Sequence, residues 1–206
     1  MNVVRGVVDS MTVSKELRVV AEALMLADER EEFRHTLDKI DKSYEKRELA
    51  LRALGADKEP YFRSVVEAIR LSSELRLVAE KTYELQRAAL ALWVLQFIDK
   101  SSERRKFVER MLDLGDLEAT LSAARTLTKS SEVRAVIEAM CEAGHEDEVS
   151  TLVTECKTDP ERELLAWFAM RTGRMGLASA VAEAVRDDQT RRRLTAVLDA
   201  AAATLD

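Results

Sequence analysis

The sequence predicts an all-α fold, a right-handed α–α superhelix (solenoid) built from 29-residue helical hairpins and containing about 14 helices. Three observations predict it. Ser14, Ser43, Ser72, Ser101, Ser130, Asp159 and Asp188 stand at one fixed spacing of 29, and a period in that range marks a repeat array. Between these markers, apolar residues recur three and four apart, the periodicity of a helix with one buried stripe. Breakers are rare and placed in register: Gly115, Gly144 and Gly173 hold the same place in three consecutive units.

Each unit is numbered 1 to 29 from its marker. Residues 1–13 fall on positions 17–29 of a preceding unit, a lone helix B with Val4, Val7, Val8 and Met11 on its apolar positions. Full units follow at 14–42, 43–71, 72–100, 101–129, 130–158 and 159–187, and residues 188–206 close as a lone, Ala-rich helix A. One repeat domain over 1–206 is expected, with no linker. Position 1 reads as a helix N-cap, because a Ser or Asp oxygen can accept from the unpaired N–H groups of a first turn. Pro160 after Asp159 fits a first helical position. Glu16, Glu45, Glu74, Glu103, Glu132 and Glu161 at position 3 face the positive end of the helix dipole.

Helix A has its predicted stripe at positions 7, 8, 11 and 14, as in Val136, Ile137, Met140 and Ala143, or Phe107, Val108, Met111 and Leu114. Arg18/Glu22, Arg76/Glu80, Arg105/Glu109 and Arg134/Glu138 are four apart and read as pairs on an exposed outer face. Gly at position 15 reads as a C-cap. Helix B carries its stripe at 20, 23, 24 and 27, for example Phe62, Val65, Val66 and Ile69, and should end near position 28. The unit at 72–100 has no Gly or Pro at its turn and could run on as one helix. The period on both sides favours a hairpin there. The small residues at position 22 suggest that helices B line the inner wall and helices A the outer.

Composition excludes several function classes. The chain is 47% hydrophobic and 34% charged, which supports a packed core rather than a disordered segment. No apolar run is long enough to span a membrane. The opening MNVVRGVVDSM lacks the parts of a signal peptide, so a cytoplasmic location is expected. A net charge of −6 argues against general nucleic-acid binding, with Arg104-Arg105-Lys106 and Arg191-Arg192-Arg193 read as solvated helix starts. Amides are few beside the many charged residues, which hints at a thermophilic source. Cys141 and Cys156 are too few for a disulfide framework and read as buried thiols.

Local phrases such as LDLGDLEATLSAA and CEAGHEDEVSTL, carried on this hairpin period, resemble the tetratricopeptide-like and HEAT-like α-solenoids. The resemblance is to the class. The period is shorter than in either family, and the tetratricopeptide Trp-Leu-Gly-Tyr pattern is absent. It implies an interaction surface, with no binding residue carried over.

No catalytic motif stands out, and neither a cofactor nor a metal is expected. Cys141, His145, Glu146 and Glu148 are the nearest approach to a metal set, but a zinc site needs a further Cys or His at defined spacing. The better signal is a residue that breaks its column. Position 22 reads His35, Ser64, Trp93, Ser122, Thr151 and Ala180, and Phe97 follows Trp93 by one turn. Trp167 replaces the usual Glu at position 9 of its unit, beside Phe168. Trp93, Phe97 and Gln96, with Trp167 and Phe168, are therefore the candidate contacts of a non-catalytic scaffold for a protein or peptide partner. The alternative is a self-assembling structural protein, a homodimer through Val3, Val4, Val7 and Val8 or through Trp93 and Phe97. An enzyme or nucleic-acid accessory factor is the third reading.

Overall fold

The computed structural model describes residues 3–203; residues 1–2 and 204–206, the outermost parts of the first and last half units, lie outside it. Among the described residues there are fourteen α-helices and no strand. The chain divides into two compact units, Met1–Glu103 and Arg104–Asp206. The first contains α1 (Val3–Ser10), α2 (Ser14–Leu26), α3 (Arg30–Lys39), α4 (Ser43–Gly55), α5 (Glu59–Ala68), α6 (Ser72–Glu84) and α7 (Ala88–Leu95). The boundary falls in the first turn of α8 (Ser101–Asp113), and the second unit continues with α9 (Leu117–Ala124) and α10 (Ser130–Glu142). Then come α11 (Glu146–Val149), prolonged as a 3-10 turn over Ser150–Glu155, α12 (Asp159–Arg171), α13 (Met175–Ala184) and α14 (Asp188–Ala202). Every helix A begins on its marker residue.

Each unit is a stack of hairpins. In the first, α2 packs on α3, α4 on α5 and α6 on α7, while α2 meets α4, α4 meets α6, and α3 lies between α1 and α5. In the second, α12 packs on α13 and α10 on α12, and α14 lies on α12 and α13. A hairpin of this length cannot bury its apolar stripe alone, so it buries it on the copies before and after it. Phe62, Val65, Val66, Val181 and Ala178 on helices B are almost wholly buried. Burial of a Phe or Val side chain stabilises by about 1.5–3 kcal/mol.

Position 15 turns the chain in every hairpin. Asp28, Asp57, Gln86, Gly115, Gly144 and Gly173 all have left-handed φ, between 57° and 86°. At each, the next N–H reaches back to the carbonyl of position 11, as in Glu29 to Leu24 (2.9 Å), Arg87 to Thr82 (3.2 Å) and His145 to Met140 (2.9 Å). The position-15 N–H bonds position 12, as in Gln86 to Tyr83 (2.8 Å), and the two bonds together form a Schellman motif. The unit at 72–100 is thus a hairpin, with Gln86 in the place that Gly holds elsewhere.

Four sequence readings are corrected. Position 1 is not the cap. Val13, Lys42, Leu71, Lys129 and Thr158 hold the cap position in extended backbone and make no side-chain cap bond. The marker side chain instead clasps the far end of its own repeat. Ser72 Oγ accepts from the N–H of Lys100 (3.2 Å), Ser130 Oγ from that of Lys157 (2.9 Å), and Ser14 Oγ from that of Asp41 (3.3 Å). The Asp159 carboxylate accepts from both Arg186 and Asp187 (3.1 and 2.9 Å).

The Arg–Glu pairs are not simple outer-face pairs. Arg18, Arg76 and Arg134 do meet Glu22, Glu80 and Glu138, but each also reaches the position-3 Glu of the next repeat. Arg18 Nε lies 2.6 Å from Glu45, Arg47 Nη1 2.8 Å from Glu74, Arg76 Nε 2.8 Å from Glu103 and Arg134 Nε 2.6 Å from Glu161. Glu45, Glu103 and Glu132 are buried.

The buried stripe of helix A runs over positions 4, 7, 8 and 11, as in Val133, Val136, Ile137 and Met140. Position 14 sits in the turn, and Leu114 is exposed there. Helix B also ends before position 28. Position 27 is a C-cap, in extended backbone at Ile40, Ile69 and Val185 yet still buried, so it packs as core while leading into the next marker.

Replacing Gln86 by Gly should raise the free energy of unfolding by about 0.5–1 kcal/mol, because an exposed non-glycine residue is relieved of its left-handed strain. Gly144→Ala should lower it by about 1–2 kcal/mol through strain alone, since a Cβ there meets no atom within 4 Å. Urea denaturation of the three chains measures both.

The N–H groups of Arg186 and Asp187 hold the Asp159 carboxyl below its usual range. A lowered folded-state pKa adds stability above the ordinary value near 3.8, which is lost as pH falls through the folded value. The stability gap between wild type and Asp159→Ala should therefore narrow between pH 5 and about 2; thermal melts across that range report it.

Candidate functional site

The candidate site lies in the first unit, on the side of α7 turned away from the buried stripe. Leu90, Ala91, Val94 and Leu95 go to the core, which leaves Trp93 and Phe97 half-buried and Gln96 exposed. The Trp93 and Phe97 rings meet edge to face with centroids 4.7 Å apart, an arrangement that aromatic quadrupoles favour. Phe62 of α5 approaches from beneath, 6.4 Å from the Trp93 ring. Arg63, also on α5, lays its guanidinium over the Trp93 ring at 4.4 Å. A cation over an indole face contributes about 0.5–1 kcal/mol at an exposed site. Glu59 holds the same guanidinium at 2.7 Å, so the ring is braced from the neighbouring repeat.

The surface continues along the row of helices B. A shallow cleft between α3 and α5 is lined by Arg30, Phe33, Arg34, Pro60, Tyr61 and Ser64. Its floor is set by the Phe33 and Tyr61 rings, perpendicular at 4.8 Å, with the Tyr61 hydroxyl donating to Asp28 at 2.7 Å. That bond is the largest cause holding the Asp28 carboxyl below its usual range. Arg34 is exposed at the rim.

The second predicted pair belongs to the second unit and has a different character. Phe168 is buried at 8% exposure, with Arg174 5.9 Å above its ring. Trp167 is half-buried and donates from Nε1 to Glu163 at 3.3 Å. Of that pair, Trp167 is the more exposed. Cys141 and Cys156 are both buried, and burial pushes their thiols up, Cys156 to about 11. A thiol held protonated in this way is a poor nucleophile and a poor metal ligand. Among the described residues, no group of three or more His, Cys, Asp and Glu side chains is placed to hold a metal ion. Sequence reading missed Arg63. The signal was there in position 21, where Arg34 and Arg63 stand in a column that continues Leu92, Leu121, Ser150 and Ser179.

Stacked hairpins with a recurrent left-handed turn define a helical-hairpin repeat protein of the α-solenoid class. No protein-family model matches the chain, and no curated protein matches it. Among solved structures the chain is similar to a circular tandem repeat protein with novel repeat topology and enhanced subunit contact surfaces, at 20% identity and a TM-score of 0.18. The match covers 88% of this chain and 39% of that one, so this chain spans well under half its length. No helix of the described residues is long and apolar enough to cross a membrane.

With Trp167 replaced by Phe, Trp93 is the remaining indole. In that background Arg63→Ala should raise the acrylamide quenching constant of the emission, because the guanidinium no longer covers the ring. An unchanged constant would mean that the stacking does not shield the indole in solution.

Proposed function

We propose that this chain is a non-catalytic protein–protein interaction scaffold that holds a partner segment against Trp93, Phe97 and Gln96. The observation that carries this reading is the braced aromatic pair, half-open to solvent where the same helix position elsewhere holds small or polar side chains. Large rings kept in one orientation contribute contact area with little entropy left to lose, which is why Trp and Arg dominate interface hot spots. The cleft between α3 and α5 extends the surface by one repeat, with Arg34 at its edge. Trp167 would be a lesser contact on the second unit.

A second reading, self-assembly, is favoured by α1, where Val3 is 81% and Val7 54% exposed on a short helix. Val4 is 37% exposed, while Val8 is buried at 1% and cannot belong to such a face.

The test is affinity capture from an extract of the native cell with wild type and Trp93→Ala, both shown to be helical by circular dichroism. A hot-spot tryptophan gives up about 2 kcal/mol or more, roughly thirtyfold in affinity. Proteins retained by wild type and lost with Trp93→Ala support the site, and identical sets of captured proteins would overturn it.

A further inference from the structure

Helices B of the first unit carry arginine at position 21: Arg5 on α1, Arg34 on α3 and Arg63 on α5. The outer two are already matched by carboxylates. Arg5 meets Glu31 and Glu32 at 3.3 and 3.8 Å, and Arg63 meets Glu59 at 2.7 Å while covering the Trp93 ring. Arg34, between them, is exposed, and its side chain makes no ion pair or hydrogen bond among the described residues.

The cleft beside Arg34 has the same imbalance. Its charged lining residues are Arg30 and Arg34, and neither Asp nor Glu lines it. Arg30 is exposed and comes no nearer to Asp28 than 3.8 Å, while the Asp28 carboxylate accepts from the Tyr61 hydroxyl at 2.7 Å. Ser64, which lines the cleft on α5, holds position 22, the position of Trp93 on α7. The cationic cleft and the aromatic pair therefore share one face of successive helices B.

The acids on these helices limit what can lie there. Glu31, Asp38, Glu59 and Glu67 are exposed on α3 and α5, and the chain as a whole carries −6. A nucleic-acid strand would bring a phosphate for every nucleotide past those carboxylates. A polypeptide needs to place only one carboxylate at Arg34, whose guanidinium can hold both oxygens.

We propose that the partner segment is acidic, with an Asp or Glu side chain held by Arg34 and Arg30 and an apolar side chain laid against Trp93 and Phe97. This rests on the scaffold reading above and gives its partner a charge and a spacing. Packed helices lie about 8–10 Å apart, so α3 and α7, with α5 between them, stand about 16–20 Å apart. An extended segment rising about 3.3 Å per residue covers that distance in about five or six residues.

Selection of a displayed library of random twelve-residue peptides on the full chain tests it, with the recovered peptides labelled by fluorescein and their binding read by anisotropy. The expected peptides carry Asp or Glu about five or six residues from a large apolar side chain, and they bind more weakly as salt is added. Arg34→Glu, checked for helicity by circular dichroism, should weaken them by about tenfold or more, and a peptide with Lys in place of the acid should recover the loss. Peptides that need Trp93 but carry no acid and bind Arg34→Glu as they bind wild type overturn the acidic partner and leave the scaffold reading standing. Recovery of no peptide sensitive to Trp93→Ala overturns both. A labelled thymidine dodecanucleotide that binds more tightly than any peptide, and is lost with Arg34→Glu, overturns the proposal in favour of nucleic acid.

Discussion

The left-handed residue at position 15 is the constraint on which the rest of the structure depends. It stands in all six described hairpins at one spacing and reverses the chain in the fewest residues that still satisfy the last carbonyls of helix A. The same left-handed turn, with the same pair of back-reaching bonds, recurs in each described hairpin. Three of the six residues are not Gly, so the conformation is imposed by the pair of back-reaching hydrogen bonds and the buried stripes on either side rather than by local preference.

Two further devices turn identical hairpins into a stack. At Ser14, Ser72, Ser130 and Asp159 the marker closes its repeat by holding the backbone between helix B and the next helix A. The Arg ladder then joins one helix A to the next, with carboxylates that are largely withdrawn from water. A charge pair of this kind is costly if one member is removed, because the other remains partly buried and unpaired. The ladder thus specifies register: a repeat slipped by one residue would leave each Arg facing the wrong side of its neighbour. A surface that closes on its neighbours in this way leaves few free features. Among those that remain is the aromatic pair on α7, half-open to solvent and braced by Arg63.

Much of this was written in local pattern. The period, the hairpins, the buried thiols and the departure of Trp93 from its column depend on residues near in sequence, and they are readable there. The turn at Gln86 was harder, since Gln does not signal a left-handed backbone, whereas Asp at 28 and 57 tolerates one. The role of the position-1 residues was misread, and that of the position-3 residues, which do stand in the first turn of helix A, was read only in part, for one reason. Both Ser and Glu are at home in a first helical turn, and the local explanation concealed partners 27 or 28 residues away. Arg63 was hidden differently, as one guanidinium among many whose only distinction is the ring beneath it.

The sequence by itself determined that this protein is a series of two-helix modules, because helix periodicity and turn chemistry act over a few residues and survive without knowledge of what lies across the groove. The tertiary structure alone decided which charges are shared between modules, which side chains brace the Trp93 ring and which valines of α1 stay uncovered. Those outcomes depend on distances between residues a full repeat apart. Such distances are set only when hairpins stack and water leaves the space between them.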